Sequence, residues 1–304
     1  LATSTFRGDD NLFASGFFLW TTNLANTGDN IAYGFSLDYP NDPWSGRMSF
    51  TEVQPNHSPA VGFVSRRGYQ GYRPSIGFSP RPVAHPWIRQ FNFNANADVR
   101  TNMDNTVVTR VLGLQLFGIN THAGESLNVF ARHNYERLER DFEIQDGVIL
   151  PAGSDYTFKR YRVQIGTANL RVLSTSSYFE FGKFFSGERE EVSVSLGIRP
   201  TVGVVANLSA EWNRVGLPEG DFRTRVYRGT LDTQFNPWIY VVNNLQYDSV
   251  TGGLGWQIRF RWTVDPGNDL YIVYMHNWLD DPLGDRFLTQ DRRGATKFVY
   301  TYRW

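Results

Sequence analysis

Apolar and polar residues alternate with a period of two along most of this chain, the repeat of a β-strand whose two faces meet different surroundings. Ile31, Tyr33, Phe35, Leu37 and Tyr39 share one face, while Ala32, Gly34, Ser36 and Asp38 share the other. Farther on, Phe91, Phe93, Ala95, Ala97 and Val99 interleave with Gln90, Asn92, Asn94, Asn96 and Asp98. Those five polar side chains on one face could not be held by an apolar core. Val192, Val194, Leu196 and Ile198 alternate with Glu191, Ser193, Ser195, Gly197 and Arg199, and Val204 to Trp212 repeats the grammar. The short separation predicts a hairpin with a tight turn around Pro200. The clearest strand puts Leu254, Trp256, Ile258, Phe260 and Trp262 on one side and Gly255, Gln257, Arg259 and Arg261 on the other.

Adding less regular runs predicts strands near 11–22, 30–40, 44–54, 87–100, 106–119, 125–137, 156–171, 176–187, 189–199, 202–213, 221–235, 238–247, 252–264, 268–278 and 295–304. Many are about 9–14 residues long, the length of a tilted membrane crossing. An odd count points to one overlooked strand or to an incomplete chain, because bacterial single-chain barrels use even numbers. The predicted fold is therefore an all-β, transmembrane, antiparallel up-and-down β-barrel of about 16 strands forming one domain over residues 1–304. Residues 55–86 interrupt the pattern with Pro55, Pro59, Pro74, Pro80, Pro82, Pro86 and several glycines, and carry Arg66, Arg67, Arg73 and Arg81. This stretch reads as a long loop, with the lumen as one place for it. Residues 138–155 and 279–294 read as polar loops opposite the short turns.

Several competing readings can be weighed from composition. The sequence has no run of about 18 apolar residues, so a membrane reading has to be a β reading. A soluble β-sandwich also alternates. Against it stand Trp87, Trp238, Trp262, Trp278 and Trp304 at or near predicted strand ends, where aromatic girdles meet lipid headgroups. Net charge is zero, which gives no overall attraction to nucleic acid. Lysine is confined to Lys159, Lys183 and Lys297, so positive charge is carried by arginine, the cation best suited to a crowded polar interior. The absence of cysteine removes disulfides and thiolate chemistry together.

At the C-terminus, Phe298, Tyr300, Tyr302 and Trp304 occupy every second position. That ending resembles the insertion signal through which Gram-negative outer-membrane barrels are recognised by the barrel-assembly machinery. Together with "NNLQYDS", "RFRWTVDPGNDLYIVYMHNW", "TKFVYTYRW" and, earlier, "VGFVSRRGY", it resembles a family of bacterial outer-membrane proteins. In that family a domain similar to family-9 carbohydrate-binding modules precedes a large barrel domain of unknown function. The resemblance implies an outer-membrane location, the C-terminal portion of a larger barrel, and a link to carbohydrate handling.

Chemistry is sparse. His57, His85, His122, His133 and His276 form no close metal-type spacing, and no cofactor motif is present; "GGLG" near Gly252 precedes a strand and lacks the helix a phosphate cradle requires. Asp280–Asp281 and Glu188, Glu190 and Glu191 read as solvated strand ends, with acid–base catalysis as the rival reading. No segment presents a nucleophile, base and orienter together, so an enzyme is not expected. Arg199, Arg259, Arg261 and Arg303, with Glu211 and Asp232, admit two readings: a channel lining that biases solute passage, or an ion-paired ladder filling a closed lumen. The leading expectation is a pore with outer-membrane lipid around it. The alternative is a surface-anchored scaffold holding a protein partner in a cell-envelope complex.

Overall fold

The computed structural model describes residues 2–7, 11–22, 28–281, 283–284 and 286–302. Among them the chain is all-β, with no helix. In order, the strands are β1 (Ala2–Arg7), β2 (Phe13–Trp20), β3 (Ile31–Tyr39), β4 (Trp44–Val53), β5 (Tyr69–Tyr72), β6 (Ser75–Phe78), β7 (Ile88–Phe91), β8 (Phe93–Asn102), β9 (Val107–Thr121) and β10 (Ser126–Arg137). There follow β11 (Phe142–Gln145), β12 (Val148–Leu150), β13 (Asp155–Gly166), β14 (Leu173–Phe184), β15 (Gly187–Thr201) and β16 (Val204–Leu217). The last five are β17 (Gly220–Asn236), β18 (Ile239–Asp248), β19 (Gly253–Asp265), β20 (Asn268–Asp281) and β21 (Arg286–Val299). Nineteen of them belong to one large antiparallel sheet, and β11 and β12 form a separate pair. By contact density the chain parts into two compact units. The first is Leu1–Val163, Phe181–Glu188 and Gly216–Asp221; the second is Gln164–Glu180, Arg189–Val215 and Phe222–Trp304.

In the first unit, β1 to β4 form a meander in which each strand pairs antiparallel with the next. The register Phe35↔Phe50 and Gly34↔Thr51 keeps apolar side chains on one face and small or polar ones on the other. The breaker-rich stretch is not all loop. Tyr69–Tyr72 and Ser75–Phe78 lie between β4 and β8, hydrogen-bonded to both, as one strand interrupted at Pro74. The interruption is cheap because proline removes a donor and leaves the acceptor. Ala97 still donates its N–H to the Pro74 carbonyl at 2.9 Å, and Arg73 and Ser49 exchange both backbone bonds. Residues 55–68 and 79–86 carry no strand, as expected.

The polar-loop expectation for 138–155 also needs correction. It contains the β11–β12 hairpin, with Leu138, Val148 and Leu150 buried. Phe142, Tyr156, Phe158, Phe184 and Phe185 form a ring cluster beside it, with Phe142–Phe185 and Phe158–Phe185 centroids 6.1 and 5.4 Å apart. Apolar side chains spread over distant segments form this core, so no local alternation announces it.

The second unit contains the regular meander β18 to β21. Ten consecutive residue pairs join β18 to β19 without a slip, and β19 and β20 pair with one shift between Thr263 and Asp265. Residues 279–294 are mostly strand, since β20 runs to Asp281 and β21 begins at Arg286. Asp291, Arg292 and Arg293 in succession, with a register shift between Asn277 and Trp278 on the partner strand, hide the alternation there. The final strand accordingly ends at Val299. The β15–β16 turn falls at Val202–Gly203, with Gly203 at φ 82°, so Pro200 lies within β15 and does not form the turn.

Large apolar side chains stay at the surface. Phe35 is 52% exposed, Leu114 47% and Leu208 52%, whereas few apolar residues are buried. Burying a Leu or Phe side chain fully is worth about 1.5–3 kcal/mol in water. A fold that leaves this many uncovered gains that energy only when an apolar medium covers them.

Candidate functional site

Opposite the apolar face lies a polar one, built strand by strand from the period of two. In the first unit Ser15 and Ser36 hydroxyls meet at 2.8 Å, Ser36 donates to Asp38 at 3.0 Å, and Asp38 pairs with Arg47 at 3.1 Å. Asp98 is held between two arginines, Arg73 at 3.4 Å and Arg100 at 2.9 Å. Next to them Thr109 donates to Glu136 at 3.0 Å and accepts from Arg66 at 3.4 Å. Gln115 donates to Asn128 at 2.8 Å. Gly113 makes room for this lining, because a Cβ there would lie 2.6 Å from the Asn96 side-chain oxygen. Where Arg66 reaches the strand ends, a cavity of about 640 Å³ is lined by Arg66, Arg67, Arg137 and Arg140 with Glu136 and Glu139. Arg137 is engaged by Asp155 at 3.2 Å and Arg67 donates to Ser58 at 3.3 Å.

The second unit repeats the principle with different partners. Arg261 grips Asp269 through two bonds of 3.0 and 3.3 Å, and Thr263 donates to the same carboxylate at 2.6 Å. Arg228 donates to Gln246 at 3.1 Å, Asn207 to Thr230 at 3.2 Å, and Asn277 to Asp291 at 2.6 Å. Arg189 bridges Glu191 and Asn213, and Tyr178 also donates to Glu191. The Arg261–Asp269 pair has the two-pronged geometry in which a guanidinium meets both oxygens of one carboxylate.

Of the residues singled out in the sequence, Arg261 lies in such a pair, and Glu211 accepts from Asn213 at 3.1 Å. Asp232 and Arg259 each stand opposite Val242, on its two neighbouring strands, so they share a row without contact. At the usual strand spacing they are about 10 Å apart. Arg199 is exposed near the end of β15, while Arg303 and Trp304 lie outside the described residues. Trp87 precedes β7, Trp238 sits in the β17–β18 turn, and Trp262 and Trp278 lie three residues before the ends of their strands. Phe298 is within β21; Tyr300 and Tyr302 follow it and are exposed. Alternation alone does not single out Arg73 and Arg100, because it identifies a face and not the cross-strand partner that register supplies.

His57, His85 and Glu188 have structural partners. His57 Nδ1 lies 3.0 Å from the Asn30 carbonyl, and His85 Nδ1 accepts from the Ile88 N–H at 2.9 Å. Glu188 pairs with Lys183 at 2.6 Å. The polar face can therefore hold water, ions and hydroxylated solutes against paired charges and amides. Among the described residues no group of three His, Cys, Asp or Glu converges as a metal site.

No known sequence family matches the chain, and no curated protein matches it. Among solved structures, the chain is similar to the siderophore receptor PirA from Acinetobacter baumannii, with a TM-score of 0.41 and 8% identity, over 98% of this chain and 57% of the receptor.

Proposed function

We propose that this chain is the wall of an outer-membrane β-barrel, with lipid against its apolar face and an aqueous passage for polar solutes along its polar face. One observation carries the reading: Phe35, Phe93 and Trp262 stand exposed on one side of β3, β8 and β19, strands whose other side holds arginine–carboxylate pairs. Lipid satisfies the first set and water the second, which is the division that membrane barrels require. Selectivity would come from the width of the passage and from the charges along it, with no covalent step. Single-channel recording in planar bilayers is the test. Discrete, ohmic steps are expected, and a folded, inserted protein without conductance would remove the pore.

A second reading, a surface-anchored scaffold, draws on the ordered β11–β12 hairpin beside the arginine-lined cavity. Loops that only seal a pore have no need of their own buried core. Stoichiometric copurification of a cell-envelope protein from native membranes, lost when residues 142–150 are replaced by a flexible linker, would favour it over the pore.

A further inference from the structure

On the apolar face of the second unit one group breaks the rule. Register places His276 opposite Trp256 on β19 and opposite Arg292 on β21, so all three share the face that carries Ile258 and Phe260. Arg292 donates Nε–H to His276 Nε2 at 3.2 Å and Nη2–H to Thr289 Oγ1 at 3.4 Å. Both acceptors are uncharged, and among the described residues no carboxylate lies within ion-pair distance of Arg292. The neighbouring Asp291 is taken by Arg293 and Asn277 on the polar face. His276 is only 8% exposed and stacks on Trp278 with centroids 3.7 Å apart, so the base of the cluster is packed while the Arg292 guanidinium is exposed.

Trp278 and Trp256 also form one end of an apolar groove of about 500 Å³, where Ala206 and Gly229 leave a hollow between Leu231 and Leu245. An uncompensated cation next to a greasy furrow, within a belt of Trp and Tyr side chains, matches a molecule with an anionic head and a hydrocarbon tail. A water-soluble anion would use the first element and ignore the second. We infer that this face binds an anionic phospholipid, its phosphate on Arg292 with Thr289 and its acyl chain in the furrow beside Trp278. The inference rests on the membrane-wall reading above.

Native mass spectrometry of protein released from nanodiscs of phosphatidylcholine containing a minority of phosphatidylglycerol tests it. The wild type should retain phosphatidylglycerol selectively. Arg292→Gln should lower that retention roughly tenfold, the change that loss of one charge-assisted hydrogen bond produces. Arg293→Gln, on the polar face, should leave it unchanged. Gly229→Leu, whose added Cβ meets only the Leu208 side chain at 3.5 Å, should fill the furrow and reduce retention of both lipids. Equal phosphatidylglycerol retention by wild type and Arg292→Gln overturns the site. So does an Arg292-dependent dimer mass without bound lipid, which would assign the face to a second copy. A protein that never enters the nanodiscs defeats the membrane reading and this inference with it, whereas insertion without selective retention defeats this inference alone.

Discussion

The β4–β8 region and the β18–β21 region obey the same alternation by different means. Across β18 and β19 the register runs unbroken and the apolar face carries large side chains at nearly every second position. Across β4, β5, β6 and β8 the ladder is cut at Pro74, the apolar face is thinned by Ala95 and Ala97, and charges are tied in a tight Arg73–Asp98–Arg100 group. A sheet can therefore owe its order to a continuous apolar face or to specific small residues and ion pairs. The first kind depends on what surrounds its apolar face, and the second on the fit of its small residues and the pairing of its charges.

The sharpest way to break the comparison is to move one charge by one residue in the regular region. Ile258→Arg, at the middle of the apolar face of β19, should destabilise the folded protein in lipid by about 2–4 kcal/mol. Gln257→Arg faces Asn244 and Met275 on the polar side and should cost much less. Reversible urea unfolding in phosphatidylcholine vesicles measures both. Equal losses would mean that the two faces do not differ in their surroundings.

On β3, the strand that borders the irregular region, Gly34→Val comes next. A Cβ at that position would lie 2.6 Å from the Phe50 carbonyl and 2.7 Å from the Phe17 ring, and the backbone oxygen cannot step aside. Overpacking of this kind costs about 1–3 kcal/mol. Gly46→Val, with nothing within 4 Å of the added Cβ, is the matched control. A thermal midpoint in detergent that falls as far for the control as for Gly34→Val would show that the crowding is immaterial.

These contrasts also explain what the sequence makes legible. The period of two identifies the strands and the two faces of β3, β8 and β19, because each side chain's surroundings are written into its own neighbours. Pairing partners are written elsewhere in the chain. Arg73 belongs to a stretch rich in proline and glycine, and only the register of β5 and β6 against β8 brings it to Asp98. The β11–β12 core is hidden for the same reason, since Phe142, Tyr156 and Phe158 become neighbours of Phe184 and Phe185 only in three dimensions. Arg292 looks like part of a polar loop until its pairing with His276 places it on the apolar face.

A smaller effect is expected from Asp98→Asn, which keeps the shape and leaves Arg73 and Arg100 without their shared carboxylate. Because these side chains are partly open to water, the stability change should be about 0.2–1 kcal/mol. The functional change should be the clearer one, a shift of reversal potential toward anion preference in a salt gradient. An unchanged reversal potential would place this group outside the conducting path.

Pro74→Thr should have the smallest effect, and its sign is informative. The Pro74 carbonyl points at β8, where it accepts from Ala97, so a threonine N–H at this position would point the same way and could donate to the Ala97 carbonyl. One added backbone bond is worth about 0.5–1.5 kcal/mol net. Removing proline frees the unfolded chain and returns about 0.4–1 kcal/mol in the opposite direction. The two nearly cancel, so the unfolding midpoint should move little, while amide exchange at Ala97 and its neighbours should slow as β5 and β6 become one strand. Were Pro74→Thr instead to destabilise the protein by as much as Gly34→Val, the break would be a required bend, and β4–β8 would depend on its interruption as firmly as β18–β21 depends on its continuity.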